Sequence, residues 1–300
     1  MPLSSADRRG IVCLVAGGIG FSSSDALTKL SMLSLPFGET LAVRGLFSSV
    51  LFLMLLAARG QLADLKVAAN PAVAGRTLFD FTGTVTFVLA ISNARLGDST
   101  AVVLSSPIFM TLLAVIMYGE KVRWHRWSAI VLGIAGVALI TKPEPSSFSY
   151  WTLLAAAAAI CSAGRDLVTR SIGTHVNSLA VAFCATALIA VFGAGLSTVR
   201  GDWMAIGKPL VLVLAATGAC YALGMTLNVQ AFRGAVTVSL VSPFRYVMLV
   251  WSMLFGFFLF GETPDVFTIA GSAIVIASGL YMLRREMIVG RALTAIAPER

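Results

Sequence analysis

Among the charged residues within long apolar stretches of this 300-residue sequence, seven are candidates for binding or transport chemistry. They are Asp25, Lys29, Glu39, Arg44, Asp80, Asp166 and Arg245. A charged side chain at the centre of a membrane span costs roughly 2.5–3.5 kcal/mol on insertion scales. We therefore expect each of these residues either to have an ion-pair partner or to face a water-filled cavity.

Arg245 is the strongest candidate for a residue that binds a substrate. It follows Pro243 and lies about ten residues into an apolar stretch, hence near mid-depth at 1.5 Å per residue. We expect it to hold a substrate carboxylate or phosphate, and the alternative is an ion pair with a buried carboxylate such as Asp80. Tyr246 and Trp251 could stack on a planar substrate, or could serve only in packing.

Two polar stripes at helical spacing give further candidates. Asp80 could contact a proton or an amine, with an i,i+4 pair to Arg76 as the alternative. Thr84 shares its face. Tyr221 and Asn228, seven residues apart, form a similar stripe on another apolar stretch. Both stripes are expected to line a cavity, and the alternative is hydrogen bonding between helices.

Arg44 and Lys29 are expected near the outer face of the membrane. Arg44 could act as a gate or an anion contact, and the alternative is an ion pair with Glu39 or Asp25. Lys29 lies near the end of its stretch, so that its ammonium group can extend to the interface.

Two prolines interrupt apolar stretches, and each follows a serine: Ser106 before Pro107, and Ser242 before Pro243. Proline removes one backbone donor and disturbs a helical turn. Serine hydroxyls, Ser106 among them, could satisfy the freed carbonyls. We predict kinks at Pro107 and Pro243 that shape a cavity, with a merely bent packing helix as the alternative.

The composition excludes an ordinary soluble domain. Hydrophobic residues make up 58% and charged residues 12%, with a mean hydropathy of +0.89; soluble domains have about 45–50% apolar and about 25% charged residues. A lipid bilayer is therefore the expected surroundings. The net charge of +8 indicates basic cytoplasmic loops rather than a nucleic-acid partner. No cofactor, metal site or catalytic motif can be recognised, so an enzyme is not expected.

The apolar stretches predict an all-α integral membrane protein with ten transmembrane helices. Such a helix needs about 20 apolar residues, and Lys and Arg concentrate in the loops on the side of the N-terminus. We expect a multi-pass protein of the cell inner membrane with both termini in the cytoplasm. The predicted spans are 10–33, 37–58, 71–92, 98–118, 126–141, 150–168, 177–199, 209–228, 235–260 and 264–283.

The two halves of the sequence resemble each other. The matches are Asp25-Ala-Leu-Thr-Lys29 with Asp166-Leu-Val-Thr-Arg170, Gly119-Glu120 with Gly261-Glu262 and, less well in register, Ser106-Pro107 with Ser242-Pro243. A repeat of five spans crosses the membrane an odd number of times, so its second copy must be inverted. We predict two inverted five-helix repeats, 1–142 and 143–285, around a central cavity, and a cytoplasmic tail, 286–300.

These residues resemble the drug/metabolite transporter superfamily, in its ten-span EamA branch, over nearly the whole chain. The resemblance rests on Glu39–Arg44, Arg76, Pro107, Gly119-Glu120, Trp124–Trp127, Ser242–Tyr246 and Gly261-Glu262. It implies ten helices in inverted halves around a cavity. The Pro-Phe-Arg-Tyr segment resembles members that move S-adenosylmethionine or riboflavin, and the layout equally resembles amino-acid exporters of the YddG type.

The expected function is that of a secondary transporter working by alternating access on a small-molecule substrate. Amino acids and related compounds, exported, are the first choice, and uptake of riboflavin or S-adenosylmethionine is the alternative. The alternatives from other functional classes are a channel and an intramembrane enzyme. We expect a monomer and leave an oligomer open.

Overall fold

The computed structural model describes residues 5–118, 124–141, 150–172, 176–234 and 242–296, and within these ranges the chain is helical, without a β-strand. Two 3-10 segments, Leu62–Ala69 and Ser242–Tyr246, accompany the α-helices. The α-helices are α1 (Ser5–Ser31), α2 (Phe37–Ala58), α3 (Pro71–Asn93), α4 (Leu96–Val103), α5 (Ser106–Tyr118), α6 (Trp124–Thr141), α7 (Tyr150–Ser171), α8 (Ser178–Arg200), α9 (Lys208–Gly234), α10 (Val247–Phe260) and α11 (Val266–Ile296).

The helices identify a multi-pass membrane protein. Among the described residues, six helical stretches are long and apolar enough to cross a bilayer: Arg8–Ser31, Phe37–Ala58, Leu96–Leu113, Tyr150–Thr169, Ser178–Arg200 and Lys208–Ala231. Three shorter stretches are also apolar: Trp127–Thr141, Phe244–Phe260 and Val266–Tyr281. Helix α3 has 23 residues and is thus long enough, but it carries Arg76 and Asp80.

The predicted span 98–118 contains a short turn just before Pro107, where a kink was predicted. Helix α4 ends at Val103, α5 begins at Ser106, and Leu104 and Ser105 form a turn between them. Pro107 is the second residue of α5, where the missing N–H is not needed for an intrahelical bond. The Ser105 hydroxyl donates to the Val102 carbonyl at 2.5 Å, and the Ser105 N–H donates to the same carbonyl at 3.0 Å.

The predicted span 235–260 also differs from a continuous helix. Its first residues, 235–241, lie outside the described ranges. Pro243 belongs to the 3-10 segment Ser242–Tyr246, which leads directly into α10. At the C-terminus, α11 continues to Ile296, so much of the predicted tail is helical.

Polar caps define the start of two helices at one end of the bundle. The Asn70 side chain accepts from the Ala72 N–H at 2.9 Å, and Pro71 occupies the first position of α3. Asn177 caps α8 in the same way, accepting from the Leu179 N–H at 3.0 Å. The Asn177 amide also donates to Asp64 at 2.8 Å, which ties the 3-10 segment after α2 to α8.

Small residues allow four pairs of helices to pack closely: α1 with α9, α2 with α8, α3 with α7, and α6 with α11. The approach is closest between α2 and α8, where a Cβ added to Gly193 would lie 2.4 Å from the Ala42 nitrogen. Between α1 and α9, a Cβ on Gly20 would lie 2.9 Å from the Cys220 carbonyl oxygen. In lipid, such close packing holds helices together without a hydrophobic driving force.

Candidate functional site

A cavity of about 1120 Å³ lies between the helices and contains most of the intramembrane charges. Its wall is built by residues of α1 to α4, α7 to α9, the second 3-10 segment and α10. It extends to Ile172, Val176 and Ser178, where α7 connects to α8. The described residues of the connections at the opposite end, 32–36, 94–95, 201–207 and 261–265, do not line it. The cavity therefore reaches one end of the bundle and is closed at the other.

Arg165 of α7 lines the cavity and binds two carboxylates. Its Nη1 donates to Asp80 Oδ1 of α3 at 2.9 Å. Its Nε and Nη2 both lie 3.0 Å from Asp166 Oδ1. One guanidinium group thereby links the tightly packed helices α3 and α7.

Two more arginines surround the same carboxylates at longer distances. Arg76 Nη1 lies 4.0 Å from Asp80 Oδ2, while Arg76 Nε donates to Thr169 Oγ1 at 3.0 Å. Arg245 Nη1 lies 3.9 Å from Asp166 Oδ2. The predicted alternative for Asp80, a pair with Arg76, is thus present in loose form, while Arg245 approaches Asp166 rather than Asp80.

A second charged cluster lies deeper, toward the closed end. Arg44 Nη2 of α2 is 3.9 Å from Asp25 Oδ1 of α1, the partner that one of the two predicted alternatives named. The Arg44 guanidinium carbon also lies 5.4 Å from the centre of the Tyr221 ring, a cation–π distance. Tyr221 in turn contacts Phe21 edge to face, with ring centres 5.7 Å apart. This end of the cavity combines one carboxylate with an aromatic wall.

The four arginines that line the cavity differ in the exposed fraction of their side chains. The exposed fraction of the side chain is 7% for Arg44, 11% for Arg76, 24% for Arg165 and 38% for Arg245. Arg245 is therefore the guanidinium group that an entering molecule reaches most easily.

Six of the nine residues predicted to bind substrate line the cavity: Arg44, Asp80, Thr84, Tyr221, Asn228 and Arg245. Ser106, Tyr246 and Trp251 do not. Tyr246 is buried in an apolar cluster, with its hydroxyl group against Gly279 of α11. Neighbouring residues of a helical segment point in different directions, so that Arg245 faces the cavity while Tyr246 faces away from it. Ser106 is also buried, at 2% exposure.

The expectation that Lys29 extends to the membrane interface is wrong. Lys29 is only 9% exposed; its Nζ donates to the Ala94 carbonyl at 2.6 Å and forms an ion pair with Glu262 Oε1. Gly261 ends α10 in the left-handed conformation, with φ of +64°, and the Glu262 that follows it reaches back into the bundle. Glu262 Oε2 also accepts from the Leu96 N–H at 2.8 Å.

Further polar contacts join the two halves of the chain at this closed end. Arg95 Nη1 lies 3.2 Å from Asp265 Oδ2, and the Thr268 hydroxyl donates to Asp98 at 3.1 Å. Glu39, predicted as a partner for Arg44, instead accepts from the Met204 N–H at 3.1 Å. Each of these contacts connects residues that are more than 160 positions apart.

The sequence analysis did not single out Arg165, which lies three residues before the predicted end of the sixth span at 168. The signal was present in the spacing. Ser162, Asp166 and Thr169 recur every three to four residues, the period of one helix face, and Arg165 lies on it. All four residues line the cavity.

No group of three or more His, Cys, Asp or Glu side chains that could hold a metal ion occurs within the described residues. The ionic groups of the cavity are instead guanidinium and carboxylate groups, which suit an organic substrate with charged substituents.

Comparisons with known proteins agree with this architecture. A model of the EamA-like transporter family matches residues 8–142 and again residues 149–284. The S-adenosylmethionine uptake transporter of Rickettsia bellii is 26% identical over 277 residues, 92% of this chain and 94% of that protein. The riboflavin transporter of Rhizobium johnstonii is 25% identical, covering 93% and 92%. The pseudopaline exporter CntI of Pseudomonas aeruginosa is 23% identical, covering 93% and 97%.

A solved crystal structure has the same fold, with a TM-score of 0.63 and 19% sequence identity, over 95% of this chain and 99% of its own. The two family-model matches together cover nearly all of the sequence. The chain belongs to the EamA-like transporter family.

Proposed function

We propose that this chain is a secondary transporter that binds an amino-acid-derived metabolite in the central cavity and moves it by alternating access. The observation that carries the proposal is a charged cavity that reaches one end of a membrane-spanning bundle and is sealed at the other. A carrier needs a site that faces one side of the membrane at a time. With the termini in the cytoplasm of an inner-membrane protein, the open end faces the cytoplasm.

The proposed architecture is ten spans in two inverted repeats, residues 1–142 and 143–285, with α4 and α5 counted as one span. The most extensive helix contacts support it, because they are preserved when each span is exchanged for its counterpart five spans away. Packing of α1 on α9 corresponds to packing of α7 on α3, and packing of α1 on α10 corresponds to packing of α7 on α4 and α5. The double match of the family model supports the same division.

The charge of the cavity favours a substrate with a carboxylate group. Four arginines and three aspartates line the cavity in the part of the chain that the structure describes, an excess of one positive charge. Arg245, the most exposed arginine, is the proposed carboxylate contact. Asp25, in loose contact with Arg44, is the proposed contact for a cationic group at the deep end.

The size of the cavity favours the larger members of this substrate class. Typical ligand pockets measure about 300–1,000 Å³, and this cavity has about 1120 Å³. A single amino acid would leave most of it filled with water. S-adenosylmethionine, an amino-acid derivative with a sulfonium charge and a nucleoside, uses the volume and both charged clusters. The Rickettsia relatives named as S-adenosylmethionine uptake transporters favour the same choice.

Riboflavin is a second candidate, supported by the aromatic side chains on the cavity wall. Phe21, Phe79, Phe87 and Tyr221 could contact a flat ring system. A relative named as a riboflavin transporter also supports it. Riboflavin has no carboxylate for Arg245, however, so we place it second.

A flux panel in proteoliposomes tests the proposal. Amino acids, S-adenosylmethionine and riboflavin are offered as labelled substrates in both directions, with and without a proton gradient. We expect saturable flux of S-adenosylmethionine, or of another carboxylate-bearing compound, and competition within this class. Saturable flux of riboflavin alone would favour the second candidate. Linear flux that no compound inhibits would indicate a channel instead of a carrier.

A further inference from the structure

Arg165 lies closer to the carboxylates of Asp80 and Asp166 than the two neighbouring arginines do. Its distances to Asp80 and Asp166 are 2.9 and 3.0 Å, which are hydrogen-bond lengths. Arg76 and Arg245 lie 4.0 and 3.9 Å from the same two groups, beyond hydrogen-bond length. The carboxylates therefore have one principal partner, and it is not the arginine that faces the open cavity.

Around Asp80 and Asp166, the positively charged side chains outnumber the negatively charged ones. In the part of the chain that the structure describes, three arginines, Arg76, Arg165 and Arg245, surround the two aspartates. Arg76 has a further acceptor in Thr169 Oγ1, at 3.0 Å. Among the residues that the structure describes, Arg245 has one ion-pair partner, Asp166, at 3.9 Å. The unmatched positive charge thus lies at Arg245, which is also the most exposed of the three side chains.

We propose that Arg165 is a positioning residue that keeps Arg245 available for the carboxylate of the transported substrate. This inference rests on the proposed function of the cavity. Arg165 acts by holding Asp166, whose Oδ2 is already 3.9 Å from Arg245. If Arg165 is removed, Asp166 loses its principal partner and forms an ion pair with Arg245 instead. Arg245 is then no longer available to bind the carboxylate of a substrate.

The proposal predicts a rescue that a purely structural role would not produce. In Arg165→Gln, the cavity keeps Arg44, Arg76 and Arg245 against three aspartates, and its excess positive charge disappears. In Arg165→Gln/Asp166→Asn, three arginines face two aspartates, and the excess returns. The second substitution removes a further charged group from the network, yet it is expected to restore the site.

The first readout needs no substrate and follows Arg245 directly. Purified protein in detergent is treated with phenylglyoxal, which modifies accessible, unpaired guanidinium groups, and the modification of Arg245 is followed by peptide mass spectrometry. We expect severalfold slower modification in Arg165→Gln and the wild-type rate in the double variant. An unchanged rate in Arg165→Gln, or equally slow modification in both variants, would overturn the proposal.

The second readout is the KM of flux in proteoliposomes for two probes that differ by one group, S-adenosylmethionine and decarboxylated S-adenosylmethionine. Loss of a charge-assisted hydrogen bond corresponds to about a tenfold or greater loss of affinity. We expect the KM of S-adenosylmethionine to rise by this factor in Arg165→Gln and to recover in the double variant, with little change for the decarboxylated probe. Equal changes for both probes would contradict a role in carboxylate binding.

Control variants distinguish misfolding of a variant, and an error in the proposed function, from an error in the inference about Arg165. Arg200→Gln, at the exposed end of α8, removes an arginine outside the cavity and should change neither readout. Asp166→Asn alone removes the competing carboxylate while Arg165 still binds Asp80. This variant should raise the rate at which phenylglyoxal modifies Arg245, and it tests the inference even if Arg165→Gln does not fold. An unchanged rate would contradict the inference. If wild-type protein transports none of the probes, the proposed function fails, while the phenylglyoxal rates still decide the role of Arg165.

Discussion

Lys29 in α1 and Glu262, just after α10, form a buried ion pair at the closed end of the cavity, although 233 positions separate them in the sequence. The pair connects the two halves of the chain, and both partners make further bonds to the connection between α3 and α4. It lies where the cavity would have to open toward the other side of the membrane. We therefore interpret it as a contact that stabilises the closed state of this end.

Substituting Glu262 by Gln should favour opening at this end. Breaking a buried ion pair by removing one partner costs about 3–5 kcal/mol, because the other charge remains buried and unpaired. With a cysteine introduced at the buried Ser31, in a background without native cysteines, labelling by a membrane-impermeant maleimide should become severalfold faster in Glu262→Gln. Labelling at the unchanged rate would show that Lys29 and Glu262 do not hold this end closed.

Arg95→Gln is the matched control for the closed end. It removes the ion pair with Asp265, whose side chains are 41% and 30% exposed. Exposed pairs contribute about 0–1 kcal/mol, so we expect a much smaller change in maleimide labelling than for Glu262→Gln. Equal labelling rates in Arg95→Gln and Glu262→Gln would mean that the buried ion pair between Lys29 and Glu262 contributes no more to closure than the exposed pair does.

Arg245→Ala should abolish or strongly impair flux while the protein still inserts into the membrane. The substitution removes the proposed carboxylate contact, and flux should fall by about tenfold or more at a fixed, low substrate concentration. Flux assays at matched protein content check this. The neighbouring Tyr246→Phe should retain flux, because the Tyr246 hydroxyl lies against Gly279 outside the cavity. Normal flux of Arg245→Ala would remove Arg245 from the substrate site.

Gly193→Ala should destabilise the packing of α2 on α8. The added Cβ would lie 2.4 Å from the Ala42 nitrogen and 2.5 Å from the Gly38 carbonyl oxygen, both of them backbone atoms that cannot rotate away. Overpacking costs about 1–3 kcal/mol, so we expect a lower midpoint of thermal unfolding in detergent. Gly195→Ala, on the same helix, should be tolerated, because its Cβ would meet no atom within 4 Å. Equal midpoints for the two variants would contradict the close approach of these helices.

The helices could be predicted from the sequence because a bilayer demands long apolar stretches, and this demand is visible in the amino acids. The interruption near Pro107 was only partly predictable. Proline indicates a disturbed turn, but whether the helix bends or breaks depends on what satisfies the freed backbone groups. Here Leu104 and Ser105 form a short turn, in which the Leu104 N–H donates to the Thr100 carbonyl and the Ser105 N–H to the Val102 carbonyl. The turn leaves α4 with eight residues.

The loose pairs of Arg44 with Asp25 and of Arg76 with Asp80 were among the predicted alternatives, but the partners of Lys29 and Arg245 could not be predicted. Lys29 could extend to the interface by its position in the sequence, and only the turn at Gly261 brings Glu262 to it. Likewise, which of several carboxylates Arg245 approaches depends on the rotation of α7 and of the 3-10 segment about their axes. Tyr246 was predicted to stack on a planar substrate in the cavity, but adjacent helical residues point about 100° apart, so Tyr246 and Arg245 face different directions.

Counterflow in proteoliposomes tests the central claim most directly, that the cavity is the substrate site of an alternating-access carrier. Vesicles loaded with unlabelled S-adenosylmethionine are diluted into labelled S-adenosylmethionine, without an ion gradient. The account predicts transient, saturable accumulation of label that depends on the internal substrate and is lost in Arg245→Ala. Entry of label that is linear, independent of the internal substrate and unaffected by Arg245→Ala would contradict it.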